Sequence, residues 1–238
     1  MRLLNAHKTL NKHLSIFVIF CLACLGCGNG EKKVNIYAAS SLTEVISVVV
    51  EHYEEIYEVK AKVVFSGSNH LAAQLRDGAS ADVFITANAD LIKDLNFQEI
   101  LEGFAHNSLI VVKPTDFVNE IFGPNDLTQD ESLIAICSEG VPCGDATKAK
   151  FGFVKADTYE MSVKAVLARV ASMEVDLGIV YATDLQNEPK VIAAWPQEIA
   201  CPCVSYSAVS KGGKGNDFVD FLNSDISKDI FSNHGFYS

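Results

Sequence analysis

Two periodicities take turns along the chain. Short apolar runs at 34–39 (V-N-I-Y-A-A), 62–65 (K-V-V-F), 81–87 (A-D-V-F-I-T-A), 108–113 (S-L-I-V-V-K), 132–137 (S-L-I-A-I-C) and 176–181 (D-L-G-I-V-Y) are too brief for helices and read as buried strands. The runs at 191–194 and 205–209 read the same way. Between them apolar residues recur at helical spacing: Leu42, Val45, Ile46, Val49 and Val50, then Leu71, Ala72 and Leu75, then Met161, Val163, Val166, Leu167 and Val170 within 158–173. Ser41-Leu42-Thr43-Glu44 fits a capping box, with the hydroxyl on one free amide and the Glu reaching back to another. Ser68 or Asn69 is placed to cap the second helix, and Asn88 a short one holding Leu91, Ile92 and Leu95. A further helix opens at Asp145 behind the turn Gly140-Val141-Pro142-Cys143-Gly144, and two more lie near 216–223 and 226–234. Strands alternating with helices predict an α/β fold with mostly parallel sheets. No low-complexity linker divides the chain, so two lobes would be joined by strands crossing between them.

Twice near the start, a strand runs through small hydroxyl residues into a helix: once at Ser41 and once at Ser68, after Gly67. Helix starts offer unpaired amides and a positive dipole end, which favour an anion. Two such units in one sheet aim Ser41 and Ser68 at one point beyond the strand ends, where open α/β sheets bind ligands. On the first segment alone, however, Ser41 reads as a simple cap.

Residues 1–26 stand apart. Arg2, Lys8 and Lys12 precede an apolar core from Ile16 to Leu25, the pattern of a secretory signal too short to span a membrane. Cys27, after Leu25-Gly26, matches a lipoprotein cleavage site, with Cys24 the weaker alternative. The chain has 19 basic and 30 acidic residues; losing three cations and no acid with residues 1–26 leaves a net charge of −14. That argues against nucleic acid, which requires clustered Lys and Arg. A small anion is still compatible, held by oriented amides and hydroxyls. Export implies an oxidising compartment, in which Cys137 and Cys143 can staple one loop; the pairing of Cys201 and Cys203 stays open. His52, His70, His106 and His234 are scattered without ligand spacing, so no metal site is expected.

The chain carries no G-x-S-x-G elbow, P-loop or H-E-x-x-H. Cys143 beside a helix start is the one candidate nucleophile. Beyond residue 26 the only arginines are Arg76 and Arg169, each on the polar side of an amphipathic helix. Carboxylate ligands call for a bidentate arginine, so this scarcity favours a compact ligand held by neutral donors. Hydrogen bonds to a charged group are worth ~1.5–3 kcal/mol each, and five of them, less the cost of closure, reach roughly micromolar to nanomolar affinity.

The series A-A-S-S-L-T (38–43), F-S-G-S-N-H-L-A-A-Q-L (65–75), G-A-S-A-D-V-F-I-T-A (78–87), N-S-L-I-V-V (107–112), V-P-C-G (141–144), V-K-A-V-L-A-R-V (163–170) and L-G-I-V-Y-A-T-D (177–184) resembles the molybdate-binding proteins of bacterial ABC importers. The resemblance implies a type II periplasmic-binding-protein fold: lobe one at 31–112 plus 206–238, lobe two at 113–205, and hinge strands crossing between them. It implies a tetrahedral dianion, molybdate and also tungstate, held by the hydroxyls of Ser41 and Ser68, the amides of Cys143 and Val163, and Tyr181. A Cys137–Cys143 bridge would brace that site. Tyr206-Ser207-Ala208-Val209 stands where the family has a Tyr-Pro stretch. The implied protein is an exported, lipid-anchored monomer that serves an ABC permease without a cofactor and catalyses nothing. The alternatives are a binder of another oxyanion, sulfate or phosphate, and an enzyme using Cys143.

Overall fold

The computed structural model describes residues 33–118, 123–129, 131–196 and 204–237. The expected signal segment 1–26, Cys24, Cys27, Cys201 and Cys203 lie outside them. Strand β1 (Lys33–Ala39) runs parallel to β2 (Lys60–Ser66) on one side and β3 (Val83–Thr86) on the other. Strand β10 (Val204–Ser210) lies antiparallel between β3 and β4 (Glu99–Asn107), giving a five-stranded sheet ordered β2-β1-β3-β10-β4. The second sheet is built from β5 (Leu109–Pro114), β6 (Ile134–Cys137), β7 (Thr158–Glu160), β8 (Leu177–Tyr181) and β9 (Val191–Ala193), ordered β7-β6-β8-β5-β9. The helices are α1 (Thr43–Tyr57), α2 (Ser68–Arg76), α3 (Pro142–Phe151), α4 (Val163–Ala171), α5 (Lys214–Leu222) and α6 (Asp225–Asn233).

These are two α/β lobes of the type II periplasmic-binding kind. Both sheets are mixed, with two parallel and two antiparallel pairings each, where the alternation of elements predicts mostly parallel ones. Helical crossovers make their strands parallel. Strand β5 instead arrives from the other lobe without a crossover helix, and both β5 and β10 lie antiparallel to their neighbours. The outward crossing is short: Asn107 ends β4 in the first sheet and Leu109 opens β5 in the second. The boundary therefore falls at Ser108, not after 112, because Leu109 to Val112 pair with Tyr181 to Gly178. On the return, Val204 already pairs with Asn107, ahead of the expected 206.

Two elements differ from the pattern-based reading. The helix expected over 158–173 is split: Thr158, Tyr159 and Glu160 pair with Ala135, Ile136 and Cys137, and the helix starts only at Val163. Strand β4 has no counterpart in the reading at all. The core follows the pattern more closely. Val45, Ile46, Val49 and Tyr53 of α1 are buried with Val34, Ile36 and Ala38 of β1. The Tyr53 ring meets Phe218 edge-on, with centroids 5.0 Å apart. In the other lobe α4 rests Val166 and Val170 on Gly178, where a β-carbon would come within 2.5 Å of Val170. Among the described residues no helix is long and apolar enough to cross a membrane.

Candidate functional site

Four helix starts meet where the lobes face each other. From the first lobe come the Ser40–Leu42 turn leading into α1, and the first residue of α2, Ser68. From the second come α3, with Val141 at its cap and Pro142 and Cys143 in its first turn, and α4, which opens at Val163 behind its cap Ser162, whose hydroxyl accepts from the Ala165 amide. Proline is suited to that first position because the amide it lacks has no helical partner anyway. The other leading amides are left without intrahelical acceptors and add the positive dipole end of each helix. All five expected residues, Ser41, Ser68, Cys143, Val163 and Tyr181, line one cavity of about 20 Å³, with Ala39, Ser40, Gly67, Ala87, Pro142 and Ser162 among the rest of its wall. Such a volume admits one or two water-sized bodies, hence only a compact solute.

No charged side chain lines it. Arg76 reaches the Leu91 carbonyl, and Arg169 pairs with Glu160 and Glu174. The cavity is thus positive by oriented dipoles alone. Among the described residues no cluster of His, Cys, Asp or Glu is able to hold a metal ion.

Neither serine acts as a cap. Ser41 and Ser68 are both buried, at 5% and 3% exposure, and neither α1 nor α2 has a side-chain cap. The Ser41 hydroxyl instead accepts from the Tyr206 hydroxyl at 2.9 Å, and Ser68 Oγ accepts from the Ala87 amide at 3.2 Å. Glu44, expected to close the capping box, binds Lys164 across the cleft at 2.9 Å. Lys164 also pairs with Asp184 at 3.0 Å, and the Tyr181 amide donates to the same carboxylate at 3.0 Å. Burial works to lower the Lys164 pKa, but the Asp184 and Glu44 carboxylates overcome it and hold the ammonium above its ordinary value. Two more contacts join the lobes. Asn69 Nδ2 donates to the Gly140 carbonyl, and Gly67 lies so close to Met161 that a β-carbon there would sit 2.6 Å from its carbonyl oxygen.

Cys137 and Cys143 form a disulfide, which ties the end of β6 to the first turn of α3. With its sulfur in that bond Cys143 has no thiol to serve as nucleophile, and the enzyme alternative is withdrawn. What it offers the cavity is its backbone. Sequence reasoning noted Tyr206 only as part of a stretch that departs from the family's Tyr-Pro pattern and gave no role to Asn107. Burial pushes the Tyr206 phenol far above its ordinary range, opposed by its hydrogen bonds with Ser41 and Asn107. Asn107 also donates from Nδ2 to Thr183 Oγ1 at 2.8 Å, and its Oδ1 accepts from the Ser108 amide at 2.9 Å. The signal for these residues lies in contacts spanning most of the chain, which no local pattern carries.

The family model for bacterial extracellular solute-binding proteins matches residues 34–237. The chain is 28% identical over 232 residues to the molybdate-binding protein ModA of Haemophilus influenzae, covering 86% of this chain and 89% of that one. It is 29% identical over 255 residues to the protein of the same name from Escherichia coli, covering 94% and 98%. A solved periplasmic molybdate-binding protein from Azotobacter vinelandii superposes with a TM-score of 0.65 at 16% identity, covering 86% of this chain and 99% of that one. That last likeness concerns the fold alone.

Proposed function

The chain belongs to the bacterial extracellular solute-binding protein family, and from that premise we propose that it captures molybdate, and tungstate with it, between its lobes and hands it to an ABC permease. One observation carries the reading: four helix starts and two buried serine hydroxyls converge on a small cavity with no charged side chain in its wall. A fully deprotonated tetrahedral dianion has only acceptors, and such a wall presents donors from both sides. In the proposed complex the hydroxyls of Ser41 and Ser68 and the amides of Cys143 and Val163 each donate to an anion oxygen, and Tyr181 completes the shell. Closing the lobes removes water and strengthens each of these bonds. Release then needs only that the lobes part, since no covalent bond or cofactor holds the ion.

In this reading the protein works outside the cytoplasmic membrane as a monomer, tethered through a lipid on Cys27. Support for the tether is the sequence around Cys27 itself. The experiment is a thermal-unfolding scan with competition titration against molybdate, tungstate, sulfate and hydrogen phosphate. Molybdate and tungstate are expected to raise the midpoint at concentrations where sulfate and hydrogen phosphate do not. A midpoint that sulfate raises as well as molybdate does would transfer the assignment to a general oxyanion binder.

A further inference from the structure

We propose that the Cys137–Cys143 pair is a reversible thiol–disulfide modification site that sets the affinity of the anion cavity, which binds tightly when the pair is oxidised and weakly once a dithiol has reduced it. The inference rests on the oxyanion reading above.

The bridge and the cavity share a residue. Cys143 is one half of the disulfide and also lines the cavity, where its amide is a proposed donor. Cys137, the other half, ends β6, a strand held by β7 on one side and β8 on the other. The backbone between the two cysteines has no slack. A β-carbon on Gly144 would fall 2.0 Å from the Ser138 carbonyl oxygen and 2.8 Å from that of Cys137. Two bonded sulfurs stand closer than two thiols can, because unbonded heavy atoms pack at roughly 3.5–4 Å. Both cysteines are buried, at 1% and 3% exposure, so the thiols gain that room only by moving backbone. With β6 fixed in its sheet, the first turn of α3 is the part that yields, and the Cys143 amide moves with it. Reduction takes two exchange steps. A thiolate of the dithiol attacks one sulfur of the bridge, the S–S bond breaks, and the other cysteine leaves as a thiolate. The second thiolate of the dithiol then closes on the mixed disulfide and expels the first cysteine. Two electrons pass to the protein, two protons end on Cys137 and Cys143, and the dithiol departs as its cyclic disulfide. Linkage makes the effect reciprocal: the factor that reduction takes from anion affinity, a bound anion takes from the equilibrium for reduction.

The test titrates molybdate by calorimetry into three forms: the oxidised protein, the protein reduced with dithiothreitol and freed of it under argon, and the Cys137→Ser/Cys143→Ser variant. Alkylation and peptide mapping follow Cys137 and Cys143 separately from Cys27, Cys201 and Cys203. The expected result is a loss of about tenfold in affinity on reduction, the scale of one hydrogen bond to a charged group, recovered on reoxidation. The serine variant is expected to bind as the reduced protein does and to be indifferent to dithiothreitol. A dithiothreitol redox series is then run with and without saturating tungstate, which resists reduction better than molybdate. The midpoint of the pair is expected to move about 30 mV more negative with the anion, the same tenfold read from the other side. Equal affinity in the oxidised and reduced forms, or a midpoint that the anion leaves in place, would overturn the proposal alone. So would a reduced form without a cooperative unfolding transition, because the bridge would then serve the fold and not the site. A loss on reduction that persists in the serine variant would belong to the other cysteines and would overturn it as well. An oxidised protein that binds no tetrahedral oxyanion would overturn the functional reading, and this one with it.

Discussion

Ser68 reads in sequence as a helix cap and in the proposed complex as a donor to the anion, and the two roles predict different losses. A cap removed from a helix costs stability, typically ~1 kcal/mol. A donor to a buried anion costs affinity, ~1.5–3 kcal/mol, or roughly ten- to hundredfold. Because Ser68 Oγ accepts only from Ala87 and caps nothing, Ser68→Ala is expected to leave the unliganded unfolding midpoint nearly in place while molybdate affinity falls by that factor, as calorimetry would read. Its neighbour Gly67 works by size. A methyl group there meets a backbone oxygen of the other lobe at 2.6 Å, so Gly67→Ala is expected to hinder closure. Overpacking on the order of 1–3 kcal/mol translates to a loss of roughly five- to hundredfold in affinity. The chain itself shows small residues at both loops, and so points to a close approach there. It cannot show that Tyr206 lies against Ser41, because 165 residues separate them.

At the scale of elements, α4 carries a charge link between the lobes. Lys164 joins Glu44 of the first lobe to Asp184 of the second. Glu44→Gln removes only the link across the cleft, whose members are 25% and 35% exposed, so about 0.5 kcal/mol and a two- to threefold loss of affinity is expected. Lys164→Met also strands Asp184, which is almost wholly buried, and is expected to destabilise the unliganded protein by roughly 3 kcal/mol in denaturant unfolding. Since the Lys164 pKa is raised above the ordinary 10.5, its contribution is fully present below that value and is lost as pH rises through the higher folded one. On the alkaline side the link is therefore expected to fail only as Lys164 loses its proton, while on the acid side it is lost as Asp184 takes one up, at a pH that burial raises above the ordinary carboxylate range. The disulfide is the other local brace. Replacing Cys137 and Cys143 together by serine is expected to lower stability by ~2 kcal/mol, given the short loop that it closes, and to loosen the turn that presents the Cys143 amide. Elements with a strong apolar period, such as α1 and β8, were legible in the chain. Strand β4 was not: Glu99-Ile100-Leu101-Glu102-Gly103-Phe104-Ala105-His106-Asn107 alternates poorly, turns through Gly103 at positive φ, and exists because β10 pairs with it across a register shift at Tyr206 and Ala208. Likewise 158–160 has residues that suit a helix face and is held as a strand by β6. In both cases a distant partner outweighed local preference.

For the whole molecule the governing contrast is between a neutral cavity and an acidic body. The chain carries a net charge of −11, or −14 without residues 1–26, while attraction for an anion comes from helix starts whose effect fades beyond about one turn. Repulsion reaches farther, over a screening length of ~10 Å at 0.1 M salt and ~30 Å at 0.01 M. An approaching dianion is therefore repelled at long range and attracted only at the cleft mouth. Raising ionic strength should remove the first effect and leave the second, because the donors of the closed site are shielded from salt. The association rate for molybdate is thus expected to rise severalfold from ~0.01 to ~0.2 M salt, with the dissociation rate little changed. This is opposite to a site lined by arginine, where steering would be lost as salt is added. Stopped-flow mixing followed by intrinsic fluorescence would give both rates. An association rate that falls with salt would require a cationic approach to the cleft, and would contradict the view that dipoles and hydroxyls alone draw the anion in.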